Sequence, residues 1–180
     1  MDTDRSRRPR GAPGADAAPS VTALYQAHAV GLIRLAIIML GDRTAAEDVV
    51  QDAFFGLYRH WGGLSDPANA LNYVRSAVLN GCRTARRART RRDRREGLAA
   101  PAEPAGESAE ASVLIGEEHR QVLAAIRALP DRQREALVLR FYLDMSEEEA
   151  ARAMRISRGT VKSATSRAIA ALGRMLQEDS

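Results

Sequence analysis

One cysteine, Cys82, stands in 180 residues. A lone thiol excludes an internal disulfide and any cysteine-built zinc cluster within the chain. Its reading is a small residue on a helix. Aromatic residues make up 4% of the chain, so a core has to be built from Leu, Val, Ile and Ala. Lysine is almost missing: Lys162 is the single one among 27 cationic residues, and such Arg- and Ala-rich usage suggests a GC-rich coding sequence. No run reaches the ~18 apolar residues of a membrane span. The nearest, 32–40, is short and is broken by Arg34. No apolar core follows the N-terminal charges as a signal peptide requires. The expectation is a cytoplasmic protein with no membrane insertion. His28, His60 and His119 lie apart, without metal-ligand spacing, so no metal site and no cofactor are expected. The densest acidic cluster, Glu147-Glu148-Glu149, opens a helix, where carboxylates suit the dipole. Nothing else clusters carboxylates or histidines as hydrolytic metal chemistry needs, so the chain does not read as an enzyme.

What is present is helical periodicity and charge. Apolar content is 45%, net charge +4 and pI about 9.8; this permits a polyanionic partner. Residues 1–19, rich in Pro, Gly, Ala and charge, cannot bury apolar surface and read as disordered. From 21 to 40, Leu24, His28, Leu32, Leu35 and Met39 recur at helical spacing, ended by Gly41. A second helix is expected to start at Thr44, with Glu47 completing a capping box. Its apolar stripe is Val50, Ala53, Phe54, Leu57 and Trp61; its polar face carries Asp48, Gln51, Asp52 and Arg59. Gly62-Gly63 breaks it. Asp66-Pro67 starts a third helix, Asp as N-cap and Pro at the first helical position. Leu71, Val74 and Val78 line it to about Arg87. Eight arginines fall within residues 83–95, opposed only by Asp93. Because the run extends a helix, it reads as a phosphate-contacting surface, for which Arg offers bidentate geometry. Composition then flips: 96–112 holds four Glu, two Pro and no cation, a flexible acidic linker. Helical pattern resumes near Val113 through Val122, Ile126 and Leu129. The chain therefore reads as all-α: two small helical domains, 20–95 and 113–178, joined by a flexible linker over 96–112.

Residues 129–176 are the most informative. Ser146 and Glu149 form a capping box. Ala150, Ala151 and Met154 give a small apolar face for a close helix partner. Ile156 fills a corner and Ser157 caps the next helix. That helix carries Arg158, Thr160, Lys162 and Ser163 near its N-terminal end, where a recognition helix meets bases and phosphates. Ala168, Ile169, Leu172 and Leu176 follow at core spacing. The pattern is a helix-turn-helix.

The stretch LPxRQREALVLRFYLDMSxxEAA…ISRGTVKS strongly resembles the DNA-binding region 4 of sigma factors of the sigma-70 family, the extracytoplasmic-function (ECF) group in particular, of actinobacterial type. AEDVVQDAFFGLYRHW, followed by a Pro-started, Arg-ending helix, resembles the group's region 2. Together they cover about residues 20–176. The resemblance implies an alternative sigma factor that binds core RNA polymerase, recognises promoter DNA at the −10 and −35 elements and starts transcription. It places Asp48, Gln51 and Asp52 on the β′ clamp helices. It assigns the loop 62–69 to a flipped −10 base, with Asn69 and Asn80 able to read a base edge. Arg75, Arg83, Arg86 and Arg87 would hold the DNA backbone. Arg158, Lys162 and Arg167 would contact phosphate or guanine at −35, and Thr160, Ser163 and Ser166 would hydrogen-bond there. The β flap and an anti-sigma factor complete the implied partners.

Three positions depart from the family pattern. Arg155 stands where Gly usually makes the corner, and a positive φ costs a non-Gly residue about 1 kcal/mol or more, so a local change of turn is expected. Ala164 stands where Arg often follows the KS pair, and Thr84 where an Asp is expected. The competing reading is a stand-alone helix-turn-helix regulator, which needs a dimer seam or sensor pocket; neither is evident in the sequence.

Overall fold

A computed structural model describes residues 17–64, 66–95 and 117–178, and every regular element among them is helical. The expected tail over 1–16 and the linker over 96–112 lie outside these residues. Ala17, Ala18 and Pro19 do not: they form the first turn of α1, Ala17–Leu40, a correction to the expected disorder up to 19. Pro19 can sit there because a first-turn N–H has no intrahelical acceptor to lose.

Helix α1 turns Val21, Ala29, Leu32, Leu35, Ala36 and Met39 inward. Its length and composition would suffice to cross a membrane. Here its buried stripe packs on α2 and α3, while Val30 and Arg34 are exposed. Gly41 ends it at φ 72°, donating to the Ile37 carbonyl at 2.7 Å. Helix α2, Arg43–His60, is capped by Asp42, whose carboxylate accepts from the Ala45 N–H at 2.9 Å. Thr44 is therefore inside the helix, not its cap. Glu47 pairs with Arg43 at 2.8 Å instead. The carboxylate wins because Asp42 is the residue with extended backbone, which the cap position requires.

Asp66 accepts from the Ala68 N–H and starts the Pro67–Asn69 turn, which runs into α3, Ala70–Arg95. This helix carries the whole arginine run, eight residues beyond the expected Arg87. α2 and α3 meet closely at Gly81, where an added Cβ would lie 2.6 Å from a Val49 methyl.

The C-terminal half comprises α4 (Glu117–Ala128), α5 (Asp131–Leu137), a π-helical turn (Val138–Tyr142), α6 (Glu147–Met154) and α7 (Arg158–Glu178). Leu129, Leu137 and Ala168 form a small core between α4, α5 and α7. The larger core is continuous across both halves: Leu35, Met39, Val78 and Cys82 belong to the same cluster as Ala136, Leu139 and Met145. α3 packs on α6, and α1 on α4.

Arg134 is buried at this junction. Its guanidinium donates to the carbonyls of Ile126 (3.0 Å), Arg127 (2.7 Å) and Leu129 (2.5 Å) at the end of α4, and to Met39 (3.4 Å) at the end of α1. Helix C-termini offer unpaired carbonyls and partial negative charge. A cation with five donors satisfies both ends at once.

Candidate nucleic-acid and polymerase interfaces

The helix-turn-helix is built from local hydrogen bonds. The Glu149 N–H donates to Ser146 Oγ at 3.2 Å, while the Ser146 N–H and hydroxyl both reach Glu149 Oε2 at 2.7 Å. These bonds hold the Glu149 carboxyl below its ordinary value, the Ser146 side chain contributing most. The corner forms with Arg155 itself left-handed, at φ 56° and ψ 47°, so the turn keeps its form and the arginine absorbs the strain. The Ile156 N–H then returns to the Ala151 carbonyl at 3.1 Å. Ser157 Oγ accepts from the Thr160 N–H at 3.1 Å, the expected cap of α7.

On α7, Lys162, Ser163, Ser166 and Arg167 are exposed on one face, while Val161, Ala164 and Ala168 are buried on the other. Ala164 therefore serves the core, where a cation could not sit unpaired. The candidates near its N-terminal end are already engaged. Arg158 reaches Glu148 at 3.3 Å and Glu147 at 3.8 Å, Thr160 Oγ1 bonds Ser157 Oγ at 2.8 Å, and the Ser163 hydroxyl donates to the Thr160 carbonyl at 3.0 Å. The hydroxyl oxygens of Thr160 and Ser163 can still accept. Ile169, expected in the core, is half-exposed. It shares an open groove of about 260 Å³ with Phe141 and Lys162. Phe141, on the π-helical turn, is 66% exposed, and neighbouring Tyr142 is also exposed. The two aromatics extend the α5 pattern in sequence, so their exposure depends on the local change of helical pitch there.

On α2, Asp48, Gln51 and Asp52 are exposed on one face, as expected. Phe55 joins them, 59% exposed, with the Arg59 guanidinium 5.7 Å from its ring centre. The signal for Phe55 was available: it lies one helical turn from both Gln51 and Asp52 and off the buried Val50–Phe54–Leu57 stripe.

The six −10 candidates do not form one free face. Asn69 is exposed and donates to Asp66 at 3.3 Å. Arg75 is half-buried facing α6; burial pulls its guanidinium below its ordinary value while the charge of Glu149 opposes this. Asn80 accepts from Arg83 at 2.9 Å. Arg83 forks onto Glu135 of α5, Nε to Oε1 at 2.7 Å and Nη2 to Oε2 at 2.5 Å, which raises its pKa further. Arg86 pairs with Asp131 at 3.1 Å. Arg87 is exposed, on a groove of about 460 Å³ that Arg86, Arg91 and Arg94 also line. Thr84, the departure from the family's Asp, donates to the Asn80 carbonyl at 3.0 Å.

Residues 24–92 match the family Sigma-70 region 2, and residues 119–172 match Sigma-70, region 4. The RNA polymerase sigma-E factor of Streptomyces avermitilis is 31% identical over 150 residues, covering 81% of this chain and 79% of the relative. The ECF RNA polymerase sigma factor SigL of Mycobacterium tuberculosis is 31% identical over 178 residues, covering 95% and 96%. The chain belongs to the ECF sigma factors of the sigma-70 family. Two solved neighbours share the fold. One is the sigma factor RpoE in complex with the anti-sigma factor NepR, from Bartonella quintana, with TM-score 0.65, 23% identity and coverage of 92% of this chain and 96% of that one. The other is CnrH in complex with the cytosolic domain of CnrY, with TM-score 0.68, 24% identity and coverage of 94% and 100%. As an alternative sigma factor the protein binds core RNA polymerase and promoter DNA and directs the enzyme to its promoters. The region 2 match contains the acidic face of α2 and most of the arginine helix; the region 4 match contains the helix-turn-helix.

Proposed function

We propose that this ECF sigma factor divides promoter recognition between two modules, 20–95 and 113–178. The first takes the −10 element through Asn69, Arg75, Asn80, Arg83, Arg86 and Arg87. The second takes the −35 element through Arg158, Thr160, Lys162, Ser163, Ser166 and Arg167. Asp48, Gln51 and Asp52, now with Phe55, dock on the β′ clamp helices: an acidic face with one aromatic anchor suits an Arg-bearing helix. The exposed Phe141 and Ile169 give the β flap an apolar contact. The factor acts by binding, without catalysis, in the cytoplasm where its polymerase works. An anti-sigma partner is supported by the two solved neighbours, both complexes of that kind.

The observation that carries this reading is the exposed stripe Lys162–Ser163–Ser166–Arg167 on a helix whose opposite face is locked into a core. The test is transcription with core polymerase across a randomised −35 element at two salt concentrations. Lys162→Ala is expected to weaken all promoters about equally and to lower the salt slope by ~1, as loss of a phosphate contact does. Arg167→Ala or Ser163→Ala is expected to relax preference at one position, at ~1–3 kcal/mol. If all three leave the −35 preference unchanged, α7 is not the reader. A stand-alone regulator would give no factor-dependent run-off product from core polymerase.

A further inference from the structure

Arg91 and Arg94 belong to neither the −10 nor the −35 set. On α3 they follow Thr84 and Arg87 at spacings of three and four residues, so the four side chains share one helix face. With Arg86, Thr90 and Asp131 of α5 they line the open groove of about 460 Å³. That size falls within the ~300–1,000 Å³ of small-ligand sites. Asp131 is the one carboxylate on its wall, and Arg86 at 3.1 Å and Arg134 at 3.6 Å already engage it. Among the described residues, no ion pair engages Arg87, Arg91 or Arg94. The Thr84 and Thr90 hydroxyls donate to the Asn80 and Arg86 carbonyls, at 3.0 and 3.1 Å. Recognition of an anion in the groove therefore falls to three exposed guanidinium groups, each with a planar fork suited to phosphate oxygens. Their Cα atoms span about 10 Å along the helix axis, so a chain of linked phosphates meets more of them than a single phosphate does.

We propose that this groove is a binding site for a short polyphosphate chain, inorganic or carried on a nucleoside. Three like charges on one helix face repel one another, and a polyanion between them relieves that repulsion. Arg92 and Arg95 supply the contrast: they too are exposed at the end of α3, but they lie outside the groove. Arg87 is also a −10 candidate, so a filled groove and promoter DNA compete for it. Binding in the groove does not itself depend on that reading.

The test is isothermal titration calorimetry of the full chain with sodium tripolyphosphate at an ionic strength of about 0.15 M, where charges more than ~8 Å apart are largely screened. Saturable binding of one ligand per chain is expected, with inorganic phosphate binding about tenfold more weakly or worse, the equivalent of one lost charge-assisted contact. Arg91→Gln and Arg94→Gln are each expected to weaken tripolyphosphate binding about tenfold, for the same reason. Arg92→Gln and Arg95→Gln remove the same charge from the same end of α3 and are expected to leave the affinity unchanged. All four side chains are exposed, and circular dichroism checks that each variant keeps its helicity. ATP separates the two sources. Binding at least as tight as that of tripolyphosphate assigns the site to nucleoside polyphosphates, and much weaker binding assigns it to the free chain; both results keep the site. Absence of saturable tripolyphosphate binding would overturn the proposal. So would equal losses in all four variants, which would mean diffuse attraction to an arginine-rich helix and no defined groove site.

Discussion

Several residues carry backbone or packing constraints that single substitutions or chemical modification can measure. Arg155 sits in the left-handed region, where a side chain costs ~1–2 kcal/mol. Arg155→Gly is expected to gain up to about 1 kcal/mol after glycine's extra unfolded-state entropy is counted. Arg155→Val is expected to lose stability, because a β-branched residue fits that region worst. Thermal melts of the two variants should move in opposite directions. Glycines on helices behave differently according to what faces them. At Gly81 a methyl would meet Val49 at 2.6 Å, and overpacking of ~1–3 kcal/mol outweighs the ~1 kcal/mol of helix propensity that alanine returns. Gly173 has open space around it, so Gly173→Ala should raise the melting temperature while Gly81→Ala lowers it. Arg134 bridges two helix ends through four carbonyls. Arg134→Met should cost about 3 kcal/mol or more, since each charge-assisted bond is worth ~1.5–3 kcal/mol and the carbonyls are left unpaired. Arg134→Lys should recover only part of it, because one ammonium cannot reproduce the planar fork. Cys82 is buried in the shared core, which pushes its thiol up to about 12, with the Glu135 charge adding to the effect. The native thiol should therefore resist alkylation at neutral pH.

At the scale of the element, α6 shows how a short helix is fixed by its ends. It has eight residues, too few to persist alone, and its start is held by the Ser146–Glu149 box. Ser146→Ala should cost about 1 kcal/mol. The pH dependence follows from the depressed Glu149 carboxyl. Unfolded chains protonate that group near 4.5, the folded chain at lower pH. Its contribution is complete above about 4.5 and is lost as pH falls through the folded value. A carboxyl-carbon NMR titration should find Glu149 titrating low in the wild type and returning toward its ordinary range in Ser146→Ala. An unchanged titration in the variant would remove the hydroxyl as the cause. Helix α3 shows the opposite case, an element set by its body. Val74, Val78 and Cys82 bury one stripe, and helical hydrogen bonding then carries the arginines past the last buried residue in phase. That is why the run projects as a surface.

For the molecule as a whole, the proposed polymerase and −35 surfaces lie on different helices. Asp48, Gln51, Asp52 and Phe55 are exposed on α2, and Lys162, Ser163, Ser166 and Arg167 on α7. Reversing Asp48 and Asp52 to Arg should weaken core polymerase binding, and Phe55→Ala should weaken it independently of salt. Neither should alter helicity, since all these side chains are exposed. Unchanged affinity in the charge-reversed variant would take α2 out of the interface. The helix set and the capped helix-turn-helix were legible because they depend on neighbours at most four residues apart: Asp66-Pro67, Ser146 with Glu149, Ser157 with Thr160, and the Val50–Phe54–Leu57 stripe. The cap of α2 was not, because Asp42 and Thr44 are both good caps and only the entry angle of the chain from α1 chooses between them.

Sequence by itself determined the all-helical class and the exposed faces Asp48–Gln51–Asp52 of α2 and Lys162–Ser163–Ser166–Arg167 of α7, which follow from periodicity and caps, all short-range. The two sigma regions and the polymerase and promoter partners came from the resemblance of its motifs to the sigma-70 family. Only the tertiary structure decided what Arg83, Arg86 and Arg134 do, why Ala164 is buried and why Ile169 and Phe141 are not. Each of those outcomes depends on which parts of the chain are packed together, and for Phe141 it falls on the π-helical turn. Arg83 and Glu135 are 52 residues apart and Met39 and Arg134 are 95 apart; no local pattern encodes such a pairing, because a guanidinium can donate to a carboxylate, a phosphate or a helix-end carbonyl, and packing selects which one it meets.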